Sequence, residues 1–308
     1  MNQHTEGGAP RRPDKSNQTE RSRVRAEEDQ QFVPVIIKRS DESHRHPDDV
    51  LEQAILRGHE QLERPFVSLI LSSVAAGMLL AFTAMAVAIV AAIVADVDNR
   101  LLQRLAKALV YPLGFIICIM GGTELYTEHT ATALYPVLDR REKPVMLARL
   151  WIVVIIGNLI GAAIGAGLLT LAEDVIGARE GYQLVAYYLV VPSNVNLLIS
   201  ATLAGWLMAQ GAWLILATPP NITQIVCIYM VTFLIGLGGL HHSIAGAVEM
   251  FVAVFTGDRY SMADTARFLA LALSGNLLGG TMFVALLNYG QIRQSRQVHG
   301  NPKENKNV

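Results

Sequence analysis

The sequence predicts an all-α membrane protein with six transmembrane helices, and two observations lead to this fold class. Of the 308 residues, 52% are hydrophobic and 17% are charged, whereas about 25% are charged in an ordinary globular protein. The charges are also unevenly distributed, because five windows contain none: 65–95, 108–123, 150–172, 181–248 and 268–292. A soluble protein with this pattern would need several fully buried helices and almost no surface.

The lengths of these windows set the number of helices. A helix needs about 20 apolar residues to cross the hydrocarbon core of a bilayer. The window at 181–248 is too long for one helix, and Pro219, Pro220 and Asn221 interrupt it as a loop. We therefore predict six transmembrane helices, at residues 66–95, 105–138, 147–172, 184–209, 222–255 and 267–290.

Two tails and a surface helix flank this region. Residues 1–46 are polar, charged and poor in aromatic residues, so we expect a disordered cytoplasmic tail. Apolar residues at helical spacing predict an amphipathic surface helix at 47–64. This helix could pack on the cytoplasmic end of the protein or lie at the lipid interface. The six-helix transmembrane domain then covers 65–291, and 292–308 form a cytoplasmic C-terminal tail.

Lysine and arginine residues predict the orientation in the membrane. With six spans, both termini lie on one side, and that side carries 11 Lys and Arg residues at 1–64, 4 in the 139–149 loop and 4 in the C-terminal tail, which is 19 of 25. Positive charge accumulates on the cytoplasmic side, so both termini are expected there. Arg100, Arg104 and Lys107 argue in the other direction, because they lie beside the first spans on the opposite side.

The spans contain an internal repeat. Span 3 contains "GNLIGAAIGAG" at 157–167, and span 6 contains "GNLLGGTMFVA" at 275–285. Each follows a span with a polar, glycine-flanked interruption, "GGTELYTEHTAT" at 121–132 and "GLGGLHHSIAG" at 236–246. Three spans are an odd number, so the second copy must enter from the other side of the membrane. Spans 1–3 and 4–6 thus predict an inverted repeat with broken second and fifth helices, an architecture with its binding site near the midplane.

Asn158 and Asn276 occupy equivalent places in the two copies. A buried amide needs hydrogen-bond partners, and a broken helix at membrane depth leaves backbone N–H and C=O groups that must be satisfied. We therefore expect both asparagines to support the broken helices. The glycines spaced four apart in the same spans favour close helix packing.

These motifs resemble the formate/nitrite transporter family of bacterial inner-membrane anion channels. The resemblance rests on "YPLGF" at 111–115, "ELYTEHT" at 124–130, "LHHSIAG" at 240–246 and the paired "GNLIG" and "GNLLG", and it covers most of residues 66–290. It implies an aquaporin-like six-helix protomer, a homopentamer and one pore for small monovalent anions in each protomer. It implies no cofactor.

The resemblance also implies where the pore residues lie. The central histidine corresponds to His242, and the threonine of the broken second helix corresponds to Thr127. Two apolar constrictions would lie on either side, formed by Tyr111 and Phe115 and by Leu125 and Tyr126. A central histidine also raises the expectation of proton-coupled transport.

The sequence departs from that family pattern at three places. His241 stands directly before the central histidine, where transporting members usually carry another residue. There is no lysine between Lys143 and Lys303, although transporting members commonly have one near the outer end of span 4. Glu128 and His129 follow the threonine where small or apolar residues are expected. These departures affect which solute the protein is expected to carry more than they affect the predicted fold.

Several polar residues are expected to support the pore. Glu124 is expected to accept backbone N–H bonds. An ionised Glu128 in a constriction would repel anions, so we expect it to be turned out of the pore or bound by backbone amides at a helix start. His241 either makes a structural hydrogen bond or has a role of its own. Glu249 could pair with His242 or with a neighbouring protomer.

Other functions receive less support from the sequence. A relative with altered transport could carry another small solute or bind a partner through its long tail. An intramembrane enzyme is disfavoured, because neither "GxSG" nor "HExxH" occurs, and no metal site is expected. The net charge of −1 gives no reason to expect nucleic-acid binding.

The predicted topology can be tested with a reporter protein. An even number of spans and the distribution of lysine and arginine place the C-terminus in the cytoplasm. A reporter that is active only in the cytoplasm, fused after Val308, should therefore be active. A signal from a periplasmic reporter at the same position would contradict the predicted topology.

Overall fold

A computed structural model describes residues 47–218 and 222–299, and every regular element in these ranges is helical. Five segments are long and apolar enough to cross a membrane, and a sixth crossing is present if a bent helix pair counts as one span. The predicted tail at 1–46, the loop at 219–221 and the end of the C-terminal tail lie outside the described residues.

The helices are labelled in chain order. The first half contains α1 (Pro47–Glu63), α2 (Phe66–Leu79), α3 (Ala81–Ile93), α4 (Arg100–Val110), α5 (Pro112–Met120), α6 (Tyr126–Thr132), α7 (Tyr135–Leu138) and α8 (Pro144–Leu171). The second half contains α9 (Glu173–Ile176), α10 (Arg179–Val190), α11 (Asn194–Ala217), α12 (Ile222–Gly238), α13 (Ser243–Thr256), α14 (Met262–Gly280), a π-helical segment (Thr281–Leu286) and α15 (Leu287–His299).

The fourth span lies later in the chain than the sequence predicted. We expected it at 184–209, but the membrane-length helix is α11, Asn194–Ala217, and residues 179–190 form the separate helix α10. The break falls at Pro192 and Ser193, where Pro192 has no N–H to continue the helical hydrogen bonds and the Ser193 side chain accepts a hydrogen bond from the Asn196 amide. The break contains no charged residue and lies inside the charge-free window at 181–248, so the distribution of charge did not indicate it.

Both predicted interruptions are breaks in helices. After α5 ends at Met120 the chain turns and resumes at α6, and after α12 ends at Gly238 it resumes at α13 with a bend of 53°. Each turn contains one glycine in the left-handed region, Gly122 with φ 66° and Gly239 with φ 60°. Glycine adopts this conformation without the steric cost of a Cβ and commonly terminates helices.

The two halves share equivalent glycine contacts between neighbouring spans. A Cβ added to Gly161 on α8 would lie 2.0 Å from the Val74 carbonyl oxygen on α2, and a Cβ on Gly279 of α14 would lie 2.0 Å from the Thr202 carbonyl oxygen on α11. The glycine rows therefore bring α8 against α2 and α14 against α11 inside one protomer. This backbone contact supports the repeat inferred from the sequence.

The amphipathic face of α1 is buried against protein. Leu51, Ala54 and Ile55 are at most 2% exposed and pack with a cluster that includes Tyr135 and Ile292. Gly58 lies so close to α6 that an added Cβ would be 2.3 Å from the Thr132 carbonyl oxygen. Of the two alternatives left open by the sequence, the structure has α1 packed on the helical bundle.

Ion pairs hold the loop after α7 against the helices beside it. Asp139 accepts hydrogen bonds from the Tyr289 hydroxyl at 3.1 Å and from Arg293, and Arg141 binds Asp139 at 2.7 Å and Glu52 at 3.1 Å. Partial burial alone would raise the pKa of Asp139, but the hydrogen bonds from Tyr289 and Arg293 outweigh it and lower this pKa. Their stabilisation is present above the ordinary aspartate pKa and is lost as the pH falls through the lowered value.

The close contact at Gly161 predicts a sensitive position. Gly161→Ala would force α2 and α8 apart, and overpacking of this kind costs about 1–3 kcal/mol. The melting temperature of the purified protein in detergent should fall. Gly167→Ala is the matched control on the same helix, because no atom outside its immediate chain neighbours and its own helix backbone lies within 4 Å of the added Cβ. Equal melting temperatures for the two variants would contradict the packing role of Gly161.

Candidate functional site

The two helix breaks meet at one hydrogen bond. The Thr127 hydroxyl oxygen lies 2.8 Å from Nε2 of His242, although the two residues are 115 positions apart in the chain. Both side chains are buried, at 0% and 2% exposure. The family resemblance implies that both are central residues, and the structure brings them into direct contact.

The hydrogen bonds of His242 fix its neutral tautomer. His242 is the N-cap residue of α13, and its Nδ1 accepts a hydrogen bond from the Ala245 amide at 3.2 Å. An acceptor nitrogen carries no proton, so in the neutral ring the proton is on Nε2, which donates to the Thr127 hydroxyl oxygen. The ring is therefore both a helix cap and a hydrogen-bond donor at the break.

Asn158 closes the first break. Its side-chain oxygen accepts from the Tyr126 amide at 2.9 Å, and its side-chain nitrogen donates to the carbonyl oxygens of Glu124 and Ser73, both at 2.8 Å. The first backbone groups of α6 and the turn before it are thus satisfied by one buried amide.

Asn276 makes the same set of contacts at the second break. Its oxygen accepts from the Ser243 amide at 2.8 Å, and its nitrogen donates to the carbonyl oxygens of His241 at 3.0 Å and Ala201 at 2.8 Å. The two asparagines therefore have equivalent partners: the first residue of the second half-helix, a residue of the preceding turn and the first membrane span of the same half, α2 or α11.

The four expected constriction residues lie close to this centre. The Phe115 ring packs edge-on against the His242 ring with centroids 4.9 Å apart, and Tyr111 packs on Phe115 at 5.3 Å. Leu125 is fully buried as the residue before α6, and Tyr126 begins that helix with 2% exposure. Apolar and aromatic side chains therefore surround the Thr127–His242 contact.

A large cavity lies on one side of this centre, and we call it the α4 cavity. Its volume is about 910 Å³, and its lining includes Tyr111, His241, His242 and residues of α4. His241 is held by Ser200, whose hydroxyl lies 2.7 Å from Nδ1, and by the Tyr188 carbonyl oxygen, 3.3 Å from Nε2. His241 therefore has structural hydrogen bonds and also borders the cavity.

Glu249 also lines the α4 cavity. It is 5% exposed and makes no ion pair within 4.0 Å in the described part of the chain. The pairing with His242, one of the two alternatives expected for Glu249, does not form. The cations on α4 also border this cavity, although in the sequence they bore only on the orientation in the membrane.

One of the two placements expected for Glu128, binding by backbone amides at a helix start, is not found. Glu128 lies in the first turn of α6, but no side-chain cap bond forms at this helix start. Its side chain borders a small cavity together with Ile119, Met208 and Ile228. The α6 amides do not hold the carboxylate, because Asn158 already binds the first of them and the short helix leaves few others.

Glu124 was also expected to bind backbone amides, and this was wrong. Its carboxylate forms an ion pair with Arg64, before α2, and also contacts Nε2 of His129, on α6, without hydrogen-bond geometry. Arg64 lies 60 residues earlier in the chain, so sequence spacing could not reveal this partner.

One group of side chains has the composition of a metal site. His59, Glu63 and Glu142 have ligand atoms within 4.8 Å of one another. The two ring nitrogens of His59 already face the two carboxylates, Nδ1 at 2.7 Å from Glu142 and Nε2 at 3.5 Å from Glu63. One of these contacts lies within α1 and the other joins α1 to the 139–143 loop, so both ring nitrogens already have a carboxylate partner, and we assign no metal to the group.

Solved structures of known channels share this fold. One, described as an FNT family ion channel, superposes with a TM-score of 0.69 at 18% identity, covering 80% of this chain and 98% of that chain. A second, described as a pentameric formate channel with formate bound, has a TM-score of 0.63 at 18% identity, covering 74% of this chain and 98% of that chain.

Proteins of similar sequence include an inner membrane protein and a transporter. The inner membrane protein YfdC of Escherichia coli K12 is 32% identical over 246 residues, covering 77% of this chain and 76% of that protein. The uncharacterised transporter YrhG of Bacillus subtilis 168 is 27% identical over 250 residues, covering 80% of this chain and 92% of that protein. The profile of the formate/nitrite transporter family matches residues 48–290. The chain therefore belongs to the formate/nitrite transporter family.

Proposed function

We propose that this protein is a channel for small monovalent anions of weak acids, with the Thr127–His242 pair at the centre of its pore. The observation that carries the proposal is the 2.8 Å contact between these side chains, which joins two broken helices. Aromatic and apolar residues enclose it, and a wide cavity leads to it from one side. Membership of the formate/nitrite transporter family supports an anion as the solute.

The helix that starts at this point can attract an anion. α13 has 14 residues and begins at Ser243, directly after the central histidine. The amino end of a helix carries a partial positive charge of about half a unit. Such an end draws an anion to the pore centre without a full charge that would hold the anion there. α6 faces the same centre but is only seven residues long, so its contribution is smaller.

The apolar surroundings favour passage of the neutral acid. Burial of an unpaired charge costs much more than burial of a neutral polar group. Protonation of the solute at the centre would remove most of this cost. A proton arriving at Nδ1 of His242 would displace the Ala245 bond, and the resulting cation could pass its Nε2 proton through the Thr127 hydroxyl to the solute. The ring would then be neutral, with its proton on Nδ1.

A hydrolase-like role for His242 and Ser243 has little support. The two ring nitrogens of His242 are taken by Thr127 and Ala245. The Ser243 hydroxyl is buried and has no hydrogen-bond partner among the described residues, so no base activates it. The arrangement favours transport over nucleophilic catalysis.

Solute flux into proteoliposomes tests the proposed function directly. Formate, nitrite, acetate, lactate and hydrosulfide form a suitable panel of small weak acids. Protein-dependent uptake of at least one of them is expected, and anion currents that depend on voltage would separate an anion channel from a pore for neutral solutes. A folded protein that carries none of the panel would leave transport of another solute, or binding of a partner, as the function.

The proton role of His242 predicts a change in pH dependence. In His242→Asn the amide oxygen can still cap α13, because asparagine is a good N-cap residue, but the side chain no longer titrates. The variant should fold, and uptake of the weak acid should lose its pH dependence. The measurement is the initial uptake rate over a pH series.

Thr127→Ser is the control, since it keeps the hydroxyl group and should keep the pH dependence. Unchanged pH dependence in a well-folded His242→Asn variant would rule out the proton role. His242 would then serve as a helix cap and hydrogen-bond donor only.

We further propose that the protein is a homopentamer of the bacterial inner membrane with both termini in the cytoplasm. A relative of known structure is described as pentameric, and a similar protein is described as an inner membrane protein. The glycine rows do not supply the contacts between protomers, because they pack inside one protomer. Exposed apolar residues along the spans, such as Ile152, Ile156 and Ile160, remain to contact lipid or neighbouring protomers.

Native mass spectrometry in mild detergent tests the assembly. Five copies of the 33.5 kDa chain should appear as one complex. A stable monomer as the sole species would contradict the pentamer.

A further inference from the structure

The α4 cavity collects positive charge from one helix. Arg100, Arg104 and Lys107 follow one another at spacings of four and three residues, which places them on one face of α4. All three line the cavity of about 910 Å³ that leads to His242. The other face carries Leu102, Leu105 and Leu109, which are exposed in the protomer as lipid-facing side chains are.

The cations are free to act on a solute. Neither Arg104 nor Lys107 has a carboxylate within 4.0 Å in the described ranges. The Lys107 ammonium group lies over the Tyr188 ring, 5.1 Å from its centroid. The Arg104 guanidinium reaches the broken turn, where its Nη2 is 4.0 Å from the position of a Cβ on Gly239. The positive charge therefore extends to the start of the pore.

The charge of the cavity stays positive whatever the state of its carboxyl group. Three cationic side chains line it, and Glu249 is the acidic residue among the described lining residues. An ionised Glu249 leaves a net charge of two positive units, and a protonated Glu249 leaves three. Low-dielectric walls concentrate the field of such a cluster and raise the local concentration of the opposite ion.

We infer that the α4 cavity is a collecting site for small carboxylates and other monovalent anions, in which Lys107 and Arg104 hold the anion and Arg104 delivers it to the Thr127–His242 pair. This inference rests on the proposed function. It also accounts for the absence of a lysine near span 4. The positive charge that attracts the anion comes instead from α4, in the second span, whose residues line the α4 cavity.

The local potential can be measured without transport. Leu240 lines the α4 cavity, and Leu240→Cys would place a thiol there, while the native Cys118 and Cys227 are buried. In phosphatidylcholine nanodiscs, this thiol is labelled in parallel with an anionic reagent, methanethiosulfonate ethylsulfonate, and a cationic one, methanethiosulfonate ethyltrimethylammonium. The ratio of the two labelling rates reports the sign and strength of the field.

Arg104→Gln and Lys107→Gln should each lower the ratio of the anionic to the cationic labelling rate. For Arg104→Gln we expect a decrease of about tenfold at low salt. Added salt should reduce the difference between this variant and the wild type. Arg179→Gln is the matched control, because Arg179 is a cation on α10 that is not part of the cavity lining. Val175→Cys, at a position 91% exposed, is the control thiol and should keep its ratio in Arg104→Gln.

An unchanged ratio at Leu240→Cys in both charge variants would overturn the inference. So would an effect that appears only in nanodiscs containing anionic lipid, since α4 would then bind lipid phosphate groups instead of a free anion.

Formate uptake into proteoliposomes separates this inference from the proposed function. If the wild type takes up formate, Arg104→Gln should reduce the initial rate about threefold at low salt, with Arg179→Gln unchanged. Normal uptake in Arg104→Gln would overturn the delivery role. If the wild type carries no anion but the labelling ratio falls in Arg104→Gln, the proposed function fails while the cationic cavity is established.

Discussion

Backbone groups cannot be left unsatisfied at membrane depth, and the structure depends on how two broken helices meet this constraint. Each unpaired N–H or C=O group in the hydrocarbon region costs several kcal/mol. Asn158 and Asn276 each bind one amide of a second half-helix and one carbonyl of the turn before it. Each also binds a carbonyl oxygen of the first membrane span of its half, that of Ser73 on α2 or of Ala201 on α11. One side chain therefore closes the break and attaches it to a neighbouring span.

The glycine contacts follow from the same requirement. An asparagine side chain is short, so the helix that carries it must lie very close to the helix whose carbonyl it binds. Gly77 and Gly205 allow this approach, because a Cβ at either would lie 2.1 Å and 2.2 Å from the carbonyl oxygens of Asn158 and Asn276. Packing, hydrogen bonding and the breaks thus form one arrangement, repeated in each half of the chain.

The central histidine takes part in this arrangement, and that affects its chemistry. Nδ1 of His242 caps α13, so protonation of this nitrogen breaks a bond that helps to position the half-helix. Titration and local structure are therefore coupled at this residue. The charged groups differ in the same way. Glu124 is paired with Arg64 and does not line the α4 cavity, whereas the cations of α4 line it and have no carboxylate within ion-pair distance among the described residues.

Local sequence features were sufficient for much of the fold. Charge-free windows located most spans, because a bilayer excludes charge along the whole length of a helix. Polar and glycine-rich interruptions located both breaks, and the repeated "GN" motif related the two halves. The break at Pro192 and Ser193 was missed because it contains no charge and lies in an apolar stretch.

The sequence by itself determined the membrane class and the breaks, because these depend on composition and on neighbours along the chain, and its resemblance to the family indicated Thr127 and His242 as a candidate centre. The tertiary structure decided the rest. Arg64, the ion-pair partner of Glu124, comes from another part of the chain, and the cavity lined by Arg104, Lys107 and Glu249 is formed by segments far apart in sequence. Electrostatic interactions act through distance in space, and spacing along a chain does not reveal that distance when the groups lie on different helices.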